Sequence, residues 1–146
     1  GGAGCYCPEN AVLSALMAHL LLAPDEVVIM DMAAGIEHLN RGTARAVDKL
    51  IIVVEPGRAS IETARRIVRL ARDLGLNNIA VVGNKIRNQA EKDFIKEALS
   101  GYNILGFLPH DEALTLAEVT GSPRLDASPA VSAAAQEIYK RLVATQ

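Results

Sequence analysis

Four short apolar runs, each rich in β-branched residues, most constrain the fold of this chain. They are Val27–Asp31, Leu50–Val54, Ile79–Asn84 and Ile104–Leu108. Apolar runs that do not alternate with polar residues are typical of strands buried on both faces. The segments between them are long enough for the crossover helices that neighbouring parallel strands require. The sequence therefore predicts an α/β fold, a three-layer sandwich with a mostly parallel sheet.

Helix signals lie around these runs. Ser60 suits the cap of a helix that Gly75 ends, and Asp111 suits the cap of a later one. Proline at the first position of a helix loses no hydrogen bond, which favours helix starts at Pro8 and Pro129. The predicted helices are Pro8 to about Leu22, Ser60–Leu74, Glu91–Leu99, Glu112–Val119 and Pro129–Val143.

Composition limits the class of protein. A chain of 146 residues, half of them hydrophobic, fits one α/β domain over residues 1–146. A net charge of −2 gives no electrostatic case for a nucleic-acid partner. The apolar run Ala11–Ala23 is too short to span a membrane, and Gly1–Asn10 lacks the basic start of a signal peptide. We therefore expect a cytoplasmic protein.

Polar residues at the carboxyl ends of two runs are candidates for ligand binding. Asp31 ends the first run, and the small residues Ala33–Gly35 that follow allow the backbone to approach a bound group. A carboxylate in this place suits Mg²⁺ beside nucleotide phosphates, although an Asp that only caps a turn explains Asp31 equally well. Asn84, at the end of the third run, can read the edge of a base through its donor and acceptor.

Cys5 and Cys7 form a Cys-x-Cys pair just before the first predicted helix. The helix dipole at Cys7 favours the thiolate, which is the form that binds metal. A tetrahedral site needs four ligands, and two such pairs would meet across a two-fold symmetric dimer. Two free thiols or a Cys5–Cys7 disulfide are the alternatives, and the spacing alone favours them.

Several segments resemble the MinD/ParA-type ATPases, a deviant branch of the P-loop nucleotide hydrolases. Asp31–Glu37 resembles their switch region, and Val82–Lys85 resembles the strand end that contacts adenine. Further similar segments are Glu55–Pro56, Ser60–Ala64 and Leu108–Asp111.

The finer resemblance is to the CooC family, the nickel-inserting accessory ATPases of carbon monoxide dehydrogenase. Gly4–Glu9 resembles its Cys-x-Cys metal motif, and Glu37–Thr43 resembles its extension of the switch. The sequence departs from the family at Ala33, where an acidic residue is expected, and it contains no G-x-x-x-x-G-K-[ST] phosphate loop. We therefore expect the chain to be the carboxyl-terminal part of a longer nucleotide-binding domain, and whether it is itself an enzyme stays open.

The resemblance implies a nickel-handling maturation factor with ATP or ADP and Mg²⁺ as cofactors. It implies a catalytic role at Asp31 in the Mg²⁺ shell and a Ni²⁺ or Zn²⁺ ion held by Cys5 and Cys7 of two subunits. The partners implied are a second copy of the chain and carbon monoxide dehydrogenase. A MinD/ParA-like positioning or scaffold protein and a non-catalytic module are the alternatives. The residues implied in cofactor binding are Asn84, Lys85, Pro109 and Asp111.

Overall fold

The described part of the chain is built around a parallel sheet. A computed structural model describes residues 15, 26–32, 47–121 and 127–144. Its three strands are β1 (Leu50–Val54), β2 (Ile79–Ile86) and β3 (Asn103–Pro109), in the order β1-β2-β3. Helices alternate with the strands and follow the last of them: α1 (Arg58–Asp73), α2 (Gln89–Ala98), α3 (Glu112–Thr120) and α4 (Pro129–Val143).

The chain forms two compact units, one of residues 1–50 and 67–78 and the other of residues 51–66 and 79–146. In the first unit, Gly75 adopts a positive φ of 88° just after α1. The Gly75 N–H donates to the Arg72 carbonyl, and the Leu76 N–H donates to the Ala71 carbonyl. This pair of bonds is a Schellman motif, which confirms the helix end predicted at Gly75.

In the second unit, helices cover both faces of the β2–β3 pair. Ala80, Val82 and Leu105 are buried on one face, where Ile138 and Leu142 of α4 pack against them. Opposite them, Gly83 lies beside Ile95 of α2, which is fully buried. The two helix layers with the sheet between them confirm the predicted fold class.

Helices α1 and α2 each begin two residues before their predicted starts. Asn88 accepts a hydrogen bond from the Glu91 N–H, and the Glu91 carboxylate accepts one from the Arg87 N–H. The Asn88 cap, supported by the bond from the preceding Arg87 N–H to Glu91, begins α2 at Gln89 rather than at Glu91. Ser60 does not cap α1, because its hydroxyl instead accepts a hydrogen bond from the Glu55 N–H.

The prediction of a buried strand over Val27–Asp31 is wrong. Residues 26–32 adopt no strand, and Val27, Val28 and Ile29 are 47%, 41% and 84% exposed. A strand needs a neighbour that shares its ladder of hydrogen bonds, and no described strand pairs with this segment. An apolar composition favours a strand, but a strand forms only where a neighbouring strand is present to pair with it.

Strand β1 is at its predicted position, but only one of its faces is buried. Ile52 and Val54 are buried, whereas Ile51 and Val53 are 37% and 58% exposed. This alternation is typical of a strand with one solvated face, so the prediction of burial on both faces is wrong here. None of the described helices has the length and apolar character needed to cross a bilayer.

Candidate functional site

The carboxyl edge of the sheet brings together residues from the ends of all three strands, most of them polar. Glu55 follows β1, Asn84 and Lys85 lie near the carboxyl end of β2, and Pro109 ends β3. Pro109 pairs with Ile86, and the His110 N–H donates to the Ile86 carbonyl over 2.9 Å. Three of the residues predicted for cofactor binding therefore lie at the edge where open α/β sheets bind ligands.

A bulge distorts β2 at Asn84 and Lys85. Gly83 pairs with Phe107 and Ile86 with Pro109, so two residues of β2 face only Leu108 of β3. Lys85 takes up the distortion with a φ of 55°, in the left-handed region. This conformation costs an L-residue about 1–2 kcal/mol, and glycine is the residue that adopts it without that cost.

An ion pair links this bulge to the end of β1. The Lys85 ammonium lies 2.7 Å from a carboxylate oxygen of Glu55, with side chains 57% and 51% exposed. Ser60 fixes the backbone of Glu55 by accepting its N–H. An exposed pair contributes at most about 1 kcal/mol, similar to the cost of the left-handed backbone. This role of Glu55 could not be predicted from the sequence, because it depends on a contact between residues 30 positions apart.

Asp111 connects the starts of two helices. One of its carboxylate oxygens accepts the Ala113 N–H, which confirms the predicted cap of α3. The other accepts the hydroxyl of Ser128, the buried cap of α4. The hydrogen bonds from Ser128 and then Ala113 lower the pKa of the Asp111 carboxyl, with a smaller contribution from His110. Both oxygens are thus engaged within the chain.

An open cleft of about 410 Å³ lies beside Pro109. The ring of Phe107 and the methyl groups of Ala130 and Ala134 give it apolar walls, and Arg87 and Lys92 bring positive charge to it. Lys96 stands over the Phe107 ring, 5.8 Å from its centre. The cleft has room for a small planar group close to an anion, a combination that suits a nucleotide.

The predicted metal ligands are Cys5 and Cys7, and the predicted catalytic residue is Asp31. Cys5 and Cys7 lie outside the described residues. Asp31 is described and exposed, in a segment without strand structure. In the described ranges, no three His, Cys, Asp or Glu side chains are grouped so that they could hold a metal ion.

Comparisons with known proteins relate most of the chain to one group. No family model matches the sequence. It is 49% identical to an ATP-binding protein of Methanocaldococcus jannaschii, over 96% of this chain and 54% of that protein. It is 44% identical to the carbon monoxide dehydrogenase accessory protein CooC of Rhodospirillum rubrum, over 88% of this chain and 49% of CooC.

A solved structure agrees with these sequence relatives. The MinD cell division protein of Aquifex aeolicus superposes with a TM-score of 0.59 and 25% identity, over 71% of this chain and 47% of that one. The sequence is also 27% identical to the septum site-determining protein MinD of Thermotoga maritima, over 78% of this chain. The chain spans about half the length of the proteins that it matches.

Proposed function

Because the chain belongs to the CooC-type group of the MinD/ParA-like proteins, we propose that it binds ATP and acts in the maturation of carbon monoxide dehydrogenase by handling nickel. The similarity to CooC, 44% identity over 88% of the chain, carries this proposal. The polar carboxyl edge of the sheet supports its nucleotide part. The Cys-x-Cys pair of the sequence supports its metal part.

In the nucleotide part of the proposal, Asn84 hydrogen-bonds the edge of the adenine base and Pro109 packs against its face. Both residues lie at the same sheet edge, and the cleft beside Pro109 has apolar walls and two cationic side chains, Arg87 and Lys92. Asp111 supports the site indirectly, by joining the starts of α3 and α4. Asp31 is proposed to hold the water shell of Mg²⁺ when a nucleotide is bound.

Replacement of Asn84 tests the nucleotide part. Asn84→Ala should weaken ATP binding roughly 3- to 10-fold, the value of one or two hydrogen bonds to the base. Asn103→Ala is the matched control, because Asn103 begins β3 and so lies away from the carboxyl edge. Calorimetric titration of the wild-type chain and both variants with ATP measures the effect. Equal affinities in all three would remove Asn84 from the site.

In the metal part, the thiolates of Cys5 and Cys7 from two chains hold one Ni²⁺ ion as cargo for the target enzyme. Four thiolates complete a tetrahedral set, and they suit Ni²⁺ and Zn²⁺ alike. Nucleotide binding is proposed to close the dimer and so to bring the two pairs together. Metal binding should release protons from the thiols.

Equilibrium dialysis with Ni²⁺ or Zn²⁺ under reducing conditions tests the metal part. We expect about half an equivalent of metal per chain, bound together with dimer formation in sedimentation. Cys5→Ser and Cys7→Ser should each lose most of the metal, whereas the control His110→Gln should keep it. Full retention by the double Ser variant would leave the cysteines as ordinary thiols.

That outcome would favour a second candidate, a nucleotide-dependent scaffold or positioning protein. The similarity to the two MinD proteins is the observation that supports this candidate. A scaffold predicts that ATP changes the assembly state with or without metal. Sedimentation of the double Ser variant with and without ATP therefore separates the two functions.

A further inference from the structure

Two unusual features coincide at Lys85. Among the described residues it is the one non-glycine residue with a positive φ, and its ammonium forms the ion pair with Glu55. The left-handed conformation disfavours any side chain with a Cβ atom, so something must hold Lys85 there. The ion pair with Glu55 is the side-chain contact at Lys85 that favours this conformation, beside the backbone pairing of Ile86 with Pro109.

The bulge in turn governs Asn84. An extra residue in a strand changes the direction of the side chains beside it, and bulges near binding sites commonly re-aim one side chain. Asn84 and Lys85 together occupy the bulge opposite Leu108. The backbone of Lys85 therefore determines how the Asn84 amide is presented at the sheet edge.

The backbone of Glu55 is itself held by a hydrogen bond to Ser60. The Ser60 hydroxyl, in the first turn of α1, accepts the Glu55 N–H over 3.0 Å. The Glu55 carboxylate thus projects from a fixed backbone, and the 2.7 Å pair with Lys85 ties the end of β1 to the bulge in β2. A contact that spans two strand ends can transmit the position of one to the other.

We propose that Lys85 is a positioning residue for base recognition, held in its left-handed conformation by Glu55 so that the bulge presents Asn84 to the base. This inference rests on the proposed nucleotide binding. It differs from direct contact between Lys85 and the nucleotide, since glycine, which adopts the left-handed region freely, would serve as well as lysine.

The ratio of GTP to ATP dissociation constants isolates base recognition. Both nucleotides carry the same triphosphate, so any direct attraction between Lys85 and phosphate cancels in the ratio. Lys85→Met keeps a side chain but loses the ion pair, and it should lower the ratio roughly 2- to 5-fold, the range that an exposed ion pair can supply. Glu55→Gln should do the same. Lys85→Gly should keep the ratio within about 2-fold of the wild type.

Two further variants make the test specific. Glu137→Gln removes another exposed ion pair of the same 2.7 Å length, on α4, and should leave the ratio unchanged. In an Asn84→Ala background, Glu55→Gln should have no further effect on the ratio, because its influence passes through Asn84. A ratio that falls equally in Lys85→Gly and Lys85→Met would overturn the proposal in favour of direct contact between Lys85 and the base, and an unchanged ratio in Lys85→Met would overturn it as well.

NMR of the nucleotide-free chain separates this inference from the proposed function. The one-bond Cα–Hα coupling of residue 85 reports its positive φ, and the Asn84 side-chain amide reports its environment. Both should change in Glu55→Gln and Lys85→Met, and the φ should stay positive in Lys85→Gly. A wild-type chain that binds no nucleotide would refute the proposed function, whereas unchanged NMR parameters in Glu55→Gln would refute the positioning role.

Discussion

Strand β2 and the segment Val27–Ile29 have similar apolar sequences but differ in their burial. Each has a run of β-branched residues, yet the first five residues of β2 are buried and Val27–Ile29 are 41–84% exposed. β2 lies between two other strands and has a helix layer on each face. Composition thus shows which segments can enter a sheet, whereas neighbouring strands and helices decide which of them are buried.

The burial of strand β1 is intermediate between these two cases. It joins the sheet beside β2, but its outward residues Ile51 and Val53 are exposed. A position at the edge of the described sheet gives it one paired side and one covered face. Burial therefore follows the number of structural neighbours rather than the hydrophobicity of the strand itself.

The largest effect should come from matched isoleucines of the two contrasted segments. Ile86→Ala in β2, where Ile86 is 4% exposed, should lower the free energy of unfolding by about 2–5 kcal/mol. Ile29→Ala, where Ile29 is 84% exposed, should change it by less than about 0.5 kcal/mol. Urea denaturation of both variants measures the difference. Comparable losses would mean that residues 26–32 are buried in solution.

Close packing within the β2–β3 pair should produce the next largest effect. A Cβ atom on Gly83 would lie 2.5 Å from the Phe107 ring, so Gly83→Ala should cost about 1–3 kcal/mol. Gly57→Ala, with nothing within 4 Å of the new methyl group, is the control and should be neutral or slightly stabilising. Gly83→Ala should cost less in a Phe107→Leu background. If the losses of Gly83→Ala and Phe107→Leu simply add in the double variant, the strain does not come from contact with the Phe107 ring.

Local signals predicted much of the fold. The boundaries of β1 and α4 agree with those of the sequence analysis, because a β-branched run and a Ser-Pro start are local features. The same logic placed Asn84 and Pro109 at one edge. The left-handed Lys85, its pair with Glu55 and the bond from Ser128 to Asp111 could not be predicted, because each depends on contacts between segments distant in sequence.

Removal of the Ser128 hydroxyl should have a moderate effect with a pH signature. Ser128→Ala loses the cap of α4, at a cost of about 1 kcal/mol. It also removes the largest cause of the lowered pKa of Asp111, so this pKa should rise toward its ordinary value. NMR titration of the Asp111 carboxyl carbon measures the rise. Ser132→Ala is the control and should leave that pKa unchanged.

The sign of the pH effect follows from the direction of the shift. A carboxyl whose pKa is lowered by folding stabilises the protein above its unfolded pKa, about 3.8 for Asp111, and this contribution is lost as the pH falls through the folded pKa. With a smaller shift, Ser128→Ala should lose less stability over that acidic range than the wild type does. A larger acidic loss in the variant would contradict the assigned cause.

The most conservative substitutions should distinguish the two faces of β1. Val→Thr keeps the shape and the β-branching of the side chain and replaces one methyl group with a hydroxyl. At Val53, 58% exposed, water can hydrate that hydroxyl, so Val53→Thr should change the free energy of unfolding by less than about 0.5 kcal/mol. At Val54, 1% exposed, an unsatisfied hydroxyl should cost about 1–3 kcal/mol. Thermal and urea unfolding of the two variants measure this contrast. Equal costs at both positions would show that the outward face of β1 is covered in solution, and β1 would then belong with β2 rather than between the two extremes.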